Sequence, residues 1–258
     1  MPELTSVQEK PLQLRHSKVT EITIEALLNR YAKGERSFQR VNLREVDLHN
    51  AHLCGVNFNQ ADMRQARLGK TDFSQASFRE ADLSEAILWG TDLSEADLYH
   101  AILREADLSG AKLSYANLER SNLSKATLGG ANLVHARLLR ANLFETDLRP
   151  TSDQVSNLGH AILSDADLCY AKLSGAVLYQ ANLDGAKLCR AHLNRTLPQG
   201  MKPTDLSDAS LRGADLSYAD LTGAILRKAD LRDADLTGAV LTDVDLQGAI
   251  MPDGSVHD

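Results

Sequence analysis

Two consecutive pentapeptides show the pattern that decides the fold: Ala81-Asp82-Leu83-Ser84-Glu85 and Ala86-Ile87-Leu88-Trp89-Gly90. Working outward from them, an apolar residue recurs at every fifth position from Phe38 to Leu148, from Leu158 to Leu193 and from Leu206 to Met251. Of these 41 apolar centres, 35 are Leu, and the residue two positions before the centre is Ala in 30 cases. A unit copied this often indicates a repeat architecture.

A period of five fits neither of the two common secondary structures. An amphipathic helix repeats every 3.6 residues and a strand every two, so neither keeps these apolar residues on one side for long. We therefore expect the chain to turn at each unit, with the central Leu and the preceding Ala pointing inward and the other three residues facing water. Aromatic residues make up only 5% of the chain, which agrees with a narrow core of small and medium side chains.

The Ala-(Asp/Asn)-Leu-X-X pattern resembles that of the pentapeptide repeat proteins over residues 36–251. The resemblance implies an all-β fold, a right-handed, four-sided (quadrilateral) parallel β-helix solenoid with four pentapeptides, or about 20 residues, in each coil. About ten coils at an interstrand spacing of about 4.8 Å would form a rod about 50 Å long. Phe38, Phe58 and Phe78 lie four pentapeptides apart, which independently favours a coil of this length because the rings would stack in one column.

The segments at the two ends lack the repeat. Residues 1–18 are polar, carry two prolines and show no period, so we expect a disordered N-terminal extension. An apolar stripe with helical spacing predicts an N-terminal capping helix over residues 19–35. The stripe consists of Ile24, Leu27, Leu28 and Tyr31. Residues 252–258 form a C-terminal tail, and either this tail or a second molecule must cover the last coil.

Two interruptions break the register, at residues 149–154 and 194–204. In the first, Asp153 stands where a centre is expected. A lone carboxylate costs several kcal/mol to bury, so we expect this unit to bulge outward. In the second, Pro198 and Pro203 accompany a change of phase, which predicts a protruding loop.

Charge and motif content restrict the function. The formal net charge is −7, and the whole imbalance lies after residue 204, so we expect no direct binding of nucleic acid. The sequence shows no run of about 18 apolar residues and no signal peptide, which predicts a cytoplasmic protein without membrane contact. The eight His residues show no metal-ligand spacing, and there is no Gly-rich phosphate loop. We therefore predict no catalytic, metal or cofactor site and no enzymatic activity.

Cys169 and Cys189 also lie four pentapeptides apart, and each directly follows a centre. In a coil of four units their Cα atoms would stack about 4.8 Å apart, within the range for a disulfide. Stacked side chains leave the coil in parallel, however, and the addition of His192 gives too few ligands for structural zinc. We favour two free thiols, with a redox or metal site as the alternative.

Trp89 is the strongest candidate for contact with a partner. It is the only Trp, directly follows the centre Leu88 and should point outward beside Ile87. The residues stacked on either side of it, Gly69 and Ser109, are small and leave the indole room to lie against the rod. An exposed Trp beside an Ile is typical of a binding hot spot, and the alternative is an indole that only covers backbone. The interruption supplies the rest of the predicted partner-binding site: Arg149, Pro150, Asp153 and Gln154.

Residues 87–113, 148–150 and 249–254 resemble a cyanobacterial member of the pentapeptide repeat family that is linked to heterocyst differentiation. This resemblance implies a monomeric, non-enzymatic scaffold that acts by protein–protein interaction, binding a regulatory protein of that pathway through one face and its loops. The alternative is a DNA mimic that binds DNA gyrase or topoisomerase IV, as other family members do. B-DNA carries one negative charge per about 1.7 Å, so a mimic about 50 Å long needs about 30 net charges. This chain has 7, which places the mimic second.

Overall fold

The computed structural model describes residues 20–194 and 202–258. Three short regular elements open the described chain: β1 (Thr20–Glu21), α1 (Ile24–Ala32) and β2 (Val41–Asn42). β1 and β2 form a parallel two-stranded sheet. The extension predicted over residues 1–18 lies outside the described residues.

The helix α1 is shorter than the helix predicted over residues 19–35. Thr20 and Glu21, near the start of the predicted range, are not helical because they form the extended strand β1, which pairs with β2. The hydroxyl of Thr23 caps the first turn of α1. Leu27 is fully buried, whereas Leu28, which the sequence places on the same stripe, is 38% exposed. One narrow face of α1 therefore packs against the core of the first coil.

From Ser37 onward, successive units form the same kind of backbone bridge. Uninterrupted coils pair in parallel between residues four pentapeptides apart, as in Ser37 with Asn57. The bridged residue is the one directly before each centre, and the centre donates its N–H to the next coil, as Leu83 does to the C=O of Ile102 at 2.7 Å. Four pentapeptides therefore make one coil, and each residue stacks on its counterpart in the coils before and after it.

Where an Asp or Asn directly precedes a centre, its side chain shapes the turn that follows. Asp82 Oδ1 accepts hydrogen bonds from the Ser84 N–H at 3.0 Å and from its hydroxyl at 2.6 Å. The next residue, Glu85, has a left-handed φ of 59°. A short side-chain acceptor two residues before an N–H is the device that stabilises such tight turns. The acidic positions of the repeat are therefore explained by the corners of the coil.

Columns of Leu and Ala fill the interior, and a column of rings fills its first coils. Leu108 and Ala106 are each 1% exposed. The ring centroids of Phe38 and Phe58 are 6.0 Å apart, and those of Phe58 and Phe78 are 5.8 Å apart. The stacked column of rings expected from the spacing of these residues is confirmed.

Two coils contain additional residues. Asn132 bridges to Asn157, and Val177 bridges to Asp205. In both pairs the interval exceeds four pentapeptides, by one whole unit in the first and by a number that is not a multiple of five in the second. The pairing resumes after each insertion, so the columns continue without a break.

Both insertions begin at the same corner of the rod. The first follows the centre Leu148 and the second follows Leu193. These centres belong to one column because the residues before them are linked by consecutive bridges, Asp147 to Lys172 and Lys172 to His192. Residues 195–201 lie outside the described residues, and so does most of the loop predicted over residues 194–204.

The tail covers only part of the last coil. Within residues 252–258, Val256 pairs antiparallel with Ile250. On another side of the same coil, Val240 and Leu241 remain 45% and 37% exposed. The C-terminal end therefore keeps an apolar surface that the tail does not reach.

Candidate interaction edge

Trp89 is held against the rod but stays open on one side. It is 39% exposed. The indole lies over Gly69 of the preceding coil, where a Cβ would stand 2.8 Å from Trp89 Nε1. The His49 ring is 5.6 Å from the indole, and the Lys70 ammonium is 4.8 Å from the indole centroid. Cation–π attraction from Lys70 and the close contact with Gly69 together fix the orientation of the indole.

A shallow cleft of about 300 Å³ opens beside the indole. Its apolar wall is formed by Trp89 and by Ile87, which is 37% exposed, so the structure places both predicted residues outward. The cleft is lined by Asp47, His49, Arg67, Gly69, Ile87 and Trp89.

The bulge at residues 149–154 stands on the same column as Trp89. Consecutive bridges join Ile87, Asp107, Thr127 and Asp147, so the positions two residues later in the chain stack as well. Three steps of about 4.8 Å put Arg149 about 14 Å from Trp89 along the rod. The sequence predicts both as parts of one partner-binding site, and the structure adds that they share a column because their separation is three times the coil length. We call this surface the Trp89 edge, and it comprises Trp89, Gly90, Ser109, Gly110 and residues 149–154.

Hydrogen bonds within the bulge close it on itself. The Thr151 N–H donates to the Gln154 C=O at 2.9 Å, and the Gln154 N–H donates to Thr151 Oγ1 at 3.1 Å. Pro150 packs on Gly175 of the next coil, and the Gln154 side chain packs on Gly130 of the preceding coil. A Cβ on Gly175 or Gly130 would come within 3.0 Å of these side chains. The bulge is therefore a packed part of the rod.

An ion pair fixes the root of the bulge. The Arg149 guanidinium donates to both carboxylate oxygens of Asp147, at 2.9 and 2.6 Å. Burial raises the pKa of Asp147, but the hydrogen bonds from the Arg149 side chain and backbone outweigh it, so this pKa lies below its usual range. The same pairing raises the pKa of Arg149. Asp153, at the tip of the bulge, is exposed, as the cost of burying its charge requires.

The first insertion ends at a buried hydroxyl that replaces a lost backbone acceptor. In an uninterrupted coil the Gly110 N–H donates to the Gly129 C=O of the next coil at 2.9 Å. One coil further on, the chain leaves the rod, and the Gly130 N–H donates to Ser156 Oγ at 2.8 Å instead. The same hydroxyl lies 3.3 Å from the C=O of Leu128 and 3.3 Å from the C=O of Arg149, and its single proton can be donated to either.

Thr204 repeats this arrangement at the second insertion. Its Oγ1 accepts from the Gly175 N–H at 2.9 Å and donates to the Leu173 C=O at 3.2 Å. Ser156 and Thr204 both occupy the position where the repeat favours Ala. A hydroxyl at this position directly after a break was therefore a sequence signal for a corner insertion, and sequence analysis missed it.

A second cleft lies beyond the bulge on the same side of the rod. Its volume is about 250 Å³. The Ser174 hydroxyl donates to Asn194 Oδ1 at 2.6 Å inside it. The lining residues are Arg149, Lys172, Ser174, His192 and Asn194. Its charged side chains are basic, whereas the cleft beside Trp89 has an apolar wall and is also lined by Asp47.

Cys169 and Cys189 lie on another side of the rod, after the centres Leu168 and Leu188. The structure joins them in a disulfide with a Cα–Cα distance of 4.7 Å. The free-thiol interpretation is therefore wrong, because side chains that leave stacked coils in parallel still pair at this separation. Cys54 is an exposed free thiol.

Within residues 20–194 and 202–258, no three His, Cys, Asp or Glu side chains are grouped in a way that could hold a metal ion. In the same ranges, no helix has the length and apolar character needed to cross a bilayer.

A rod of stacked pentapeptides whose surface is shaped at one corner defines a solenoid repeat protein. The chain belongs to the pentapeptide repeat family. The family profile, described as pentapeptide repeats, matches residues 37–75, 76–114, 111–149, 156–196, 204–243 and 214–253.

Among solved structures, the chain is similar to HetL, a pentapeptide repeat protein involved in heterocyst differentiation regulation, from the cyanobacterium Nostoc sp. strain PCC 7120. The two are 60% identical, the match covers 92% of this chain and 100% of HetL, and the TM-score is 0.90. QnrB1, a plasmid-mediated fluoroquinolone resistance protein, is 20% identical over 76% of this chain and 91% of its own, with a TM-score of 0.48. No curated protein matches the chain.

Proposed function

We propose that this protein is a non-enzymatic scaffold that regulates heterocyst differentiation by binding a regulatory protein through the Trp89 edge. The similarity to HetL, at 60% identity over the whole of HetL, supports the pathway. The single observation that carries the binding site is the shared column of Trp89 and the bulge at residues 149–154. An anchor and a protrusion on one edge form a surface that a partner can engage at both points.

The physical character of the edge favours a protein partner. Ile87 and Trp89 are exposed side by side at one cleft, and large exposed aromatic side chains such as Trp dominate protein–protein binding energy. Contacts with Gly69 and Lys70 order the indole before a partner binds. A side chain that is ordered before binding loses less conformational entropy on association.

The handedness, the number of coils, the cap, the oligomeric state and the location are proposed from the family and from the sequence. We take the rod as right-handed with about ten coils, with α1 as the cap of the first coil. We also take the protein as monomeric and cytoplasmic, as the sequence predicts. The packing of Leu27 against the core supports the cap.

A pull-down from a heterocyst-forming Nostoc strain tests the function. Wild type, Trp89→Ala and Tyr218→Ala would be used as bait. Tyr218 is a matched control because it lies on a different side, covers Gly238 and sits under Arg190, as Trp89 covers Gly69 under Lys70. We expect one regulatory protein to be retained by wild type and Tyr218→Ala and lost by Trp89→Ala. Identical partner sets for all three baits would contradict binding through the Trp89 edge.

The DNA-mimic alternative has a direct test. A net charge of −7 falls well below the charge of a duplex of the same length. We expect micromolar protein to leave DNA gyrase supercoiling unchanged. Inhibition or protection of gyrase at that concentration would restore the alternative.

A further inference from the structure

Two clefts lie along the Trp89 edge. One has an apolar wall formed by Ile87 and Trp89, and the charged side chains that line the other are basic. We infer that the partner presents an acidic peptide segment, with an apolar anchor at the cleft beside Trp89 and carboxylates at the basic cleft beyond the bulge. This inference rests on the proposed function and adds the chemistry of the bound segment.

Positive charge is concentrated at the second cleft. The Asp147 carboxylate faces two cations, since Arg149 is bound to it and Lys172 Nζ lies 4.0 Å from the same carboxylate. His192 lines the cleft beside them. One carboxylate against two permanent cations leaves one net positive charge on these three side chains, in a chain whose own net charge is −7. Complementary charge selects an acidic partner at this point.

An exposed Lys lies close to the same corner. The Lys202 C=O would lie 3.3 Å from a Cβ on Gly175, and Pro150 of the bulge packs on the same glycine. Lys202 itself is exposed. Gly175 directly follows Ser174, which lines the basic cleft.

The spacing of the two clefts sets the length of the segment. Residues 87 and 172 belong to one column and are four coils apart, which is about 19 Å at about 4.8 Å for each coil. An extended peptide covers about 3.3 Å for each residue, so the anchor and the carboxylates are at least about six residues apart. The Gln154 side chain of the bulge lies over Gly110, where its Oε1 would be 3.2 Å from a Cβ, so the segment must pass beside the bulge.

Peptide display on the intact rod tests the inference. A random 16-residue library would be selected on wild-type protein, and the affinities of the enriched peptides for wild type and variants would be measured by the fluorescence anisotropy of dye-labelled peptides. We expect enriched peptides to carry a large apolar residue and at least two Asp or Glu at a distance of about six residues or more. Enrichment of peptides without acidic residues would overturn the inference, as would a random DNA duplex that displaces the peptides at equal concentration.

Two charge reversals separate the inference from the proposed function. We expect Lys172→Glu to weaken the selected peptides at least tenfold in 50 mM salt, and less in 500 mM salt because salt screens the charges. Lys187→Glu is the matched control, since Lys187 is also exposed and also directly precedes a centre, but on another side. Equal affinity for the two variants would overturn the acidic segment. If Trp89→Ala still abolished binding in that case, the proposed edge would stand with a different partner chemistry.

Discussion

Replacing Ser156 by Ala removes the hydroxyl that closes the first insertion. The Gly130 N–H, which is buried, would lose its acceptor at 2.8 Å. Leaving a buried donor unpaired costs about 1–3 kcal/mol of unfolding free energy. For a chain of this size each kcal/mol lowers the melting temperature by about 2–4 °C, so we expect a fall of about 2–12 °C.

Ser121→Ala is the matched control for this variant. Ser121 is 1% exposed and also replaces the favoured Ala. Its hydroxyl donates to the Leu118 C=O at 2.7 Å, and that carbonyl also accepts the Ser121 N–H at 3.1 Å. Removing the hydroxyl therefore leaves no N–H unpaired, and we expect a loss below about 1 kcal/mol.

Urea unfolding followed by circular dichroism compares the two variants, and amide hydrogen exchange at Gly130 locates the effect. We expect exchange at Gly130 to accelerate in Ser156→Ala and to stay slow in Ser156→Thr, which keeps the hydroxyl. Equal unfolding free energies for Ser156→Ala and Ser121→Ala, or unchanged exchange at Gly130, would refute the role assigned to the hydroxyl.

Three further results follow from the packing. Leu108→Asp places an unpaired charge in a column where Leu108 is 1% exposed, so we expect a loss of several kcal/mol by urea unfolding, and an unchanged transition would contradict the inward assignment. Reducing the Cys169–Cys189 disulfide opens a link between neighbouring coils, which lowers stability by about 3 kcal/mol; the Cys189→Ser variant should show the same melting temperature with and without reductant. Gly69→Ala brings a Cβ to 2.8 Å from Trp89 Nε1, so the indole must move outward and its emission should shift to longer wavelength, whereas unshifted emission would show that Gly69 does not seat the ring.

Which residues point into the rod and which point out could be predicted from the sequence. A period of five keeps the Leu and Ala side chains on one side only if the chain turns at each unit. The outward position of Asp153 follows from charge alone. The start of α1 could not be predicted, since β1 is extended only through its pairing with β2, which lies beyond α1 in the chain. Local propensity carries no information about such a contact.

The residues of the candidate site could be predicted from the sequence, but their position on one column of the rod could not. Trp89 and the bulge were each visible as departures from the repeat. Their common edge depends on the number of residues in each coil, which the period of five does not define. The disulfide between Cys169 and Cys189 depends on side-chain rotamers, which stacking distance alone does not determine.

Where the chain leaves the rod, a side-chain hydroxyl accepts the N–H that a backbone carbonyl accepts elsewhere. The coil can therefore close its hydrogen bonds whatever the number of inserted residues. Nature has used the device for excursions of two lengths at one corner, closed by Ser156 and Thr204. Evolution can therefore diversify this corner without redesigning the scaffold, and protein engineers can graft foreign recognition sequences there, provided that the Ser or Thr at the point of return is retained.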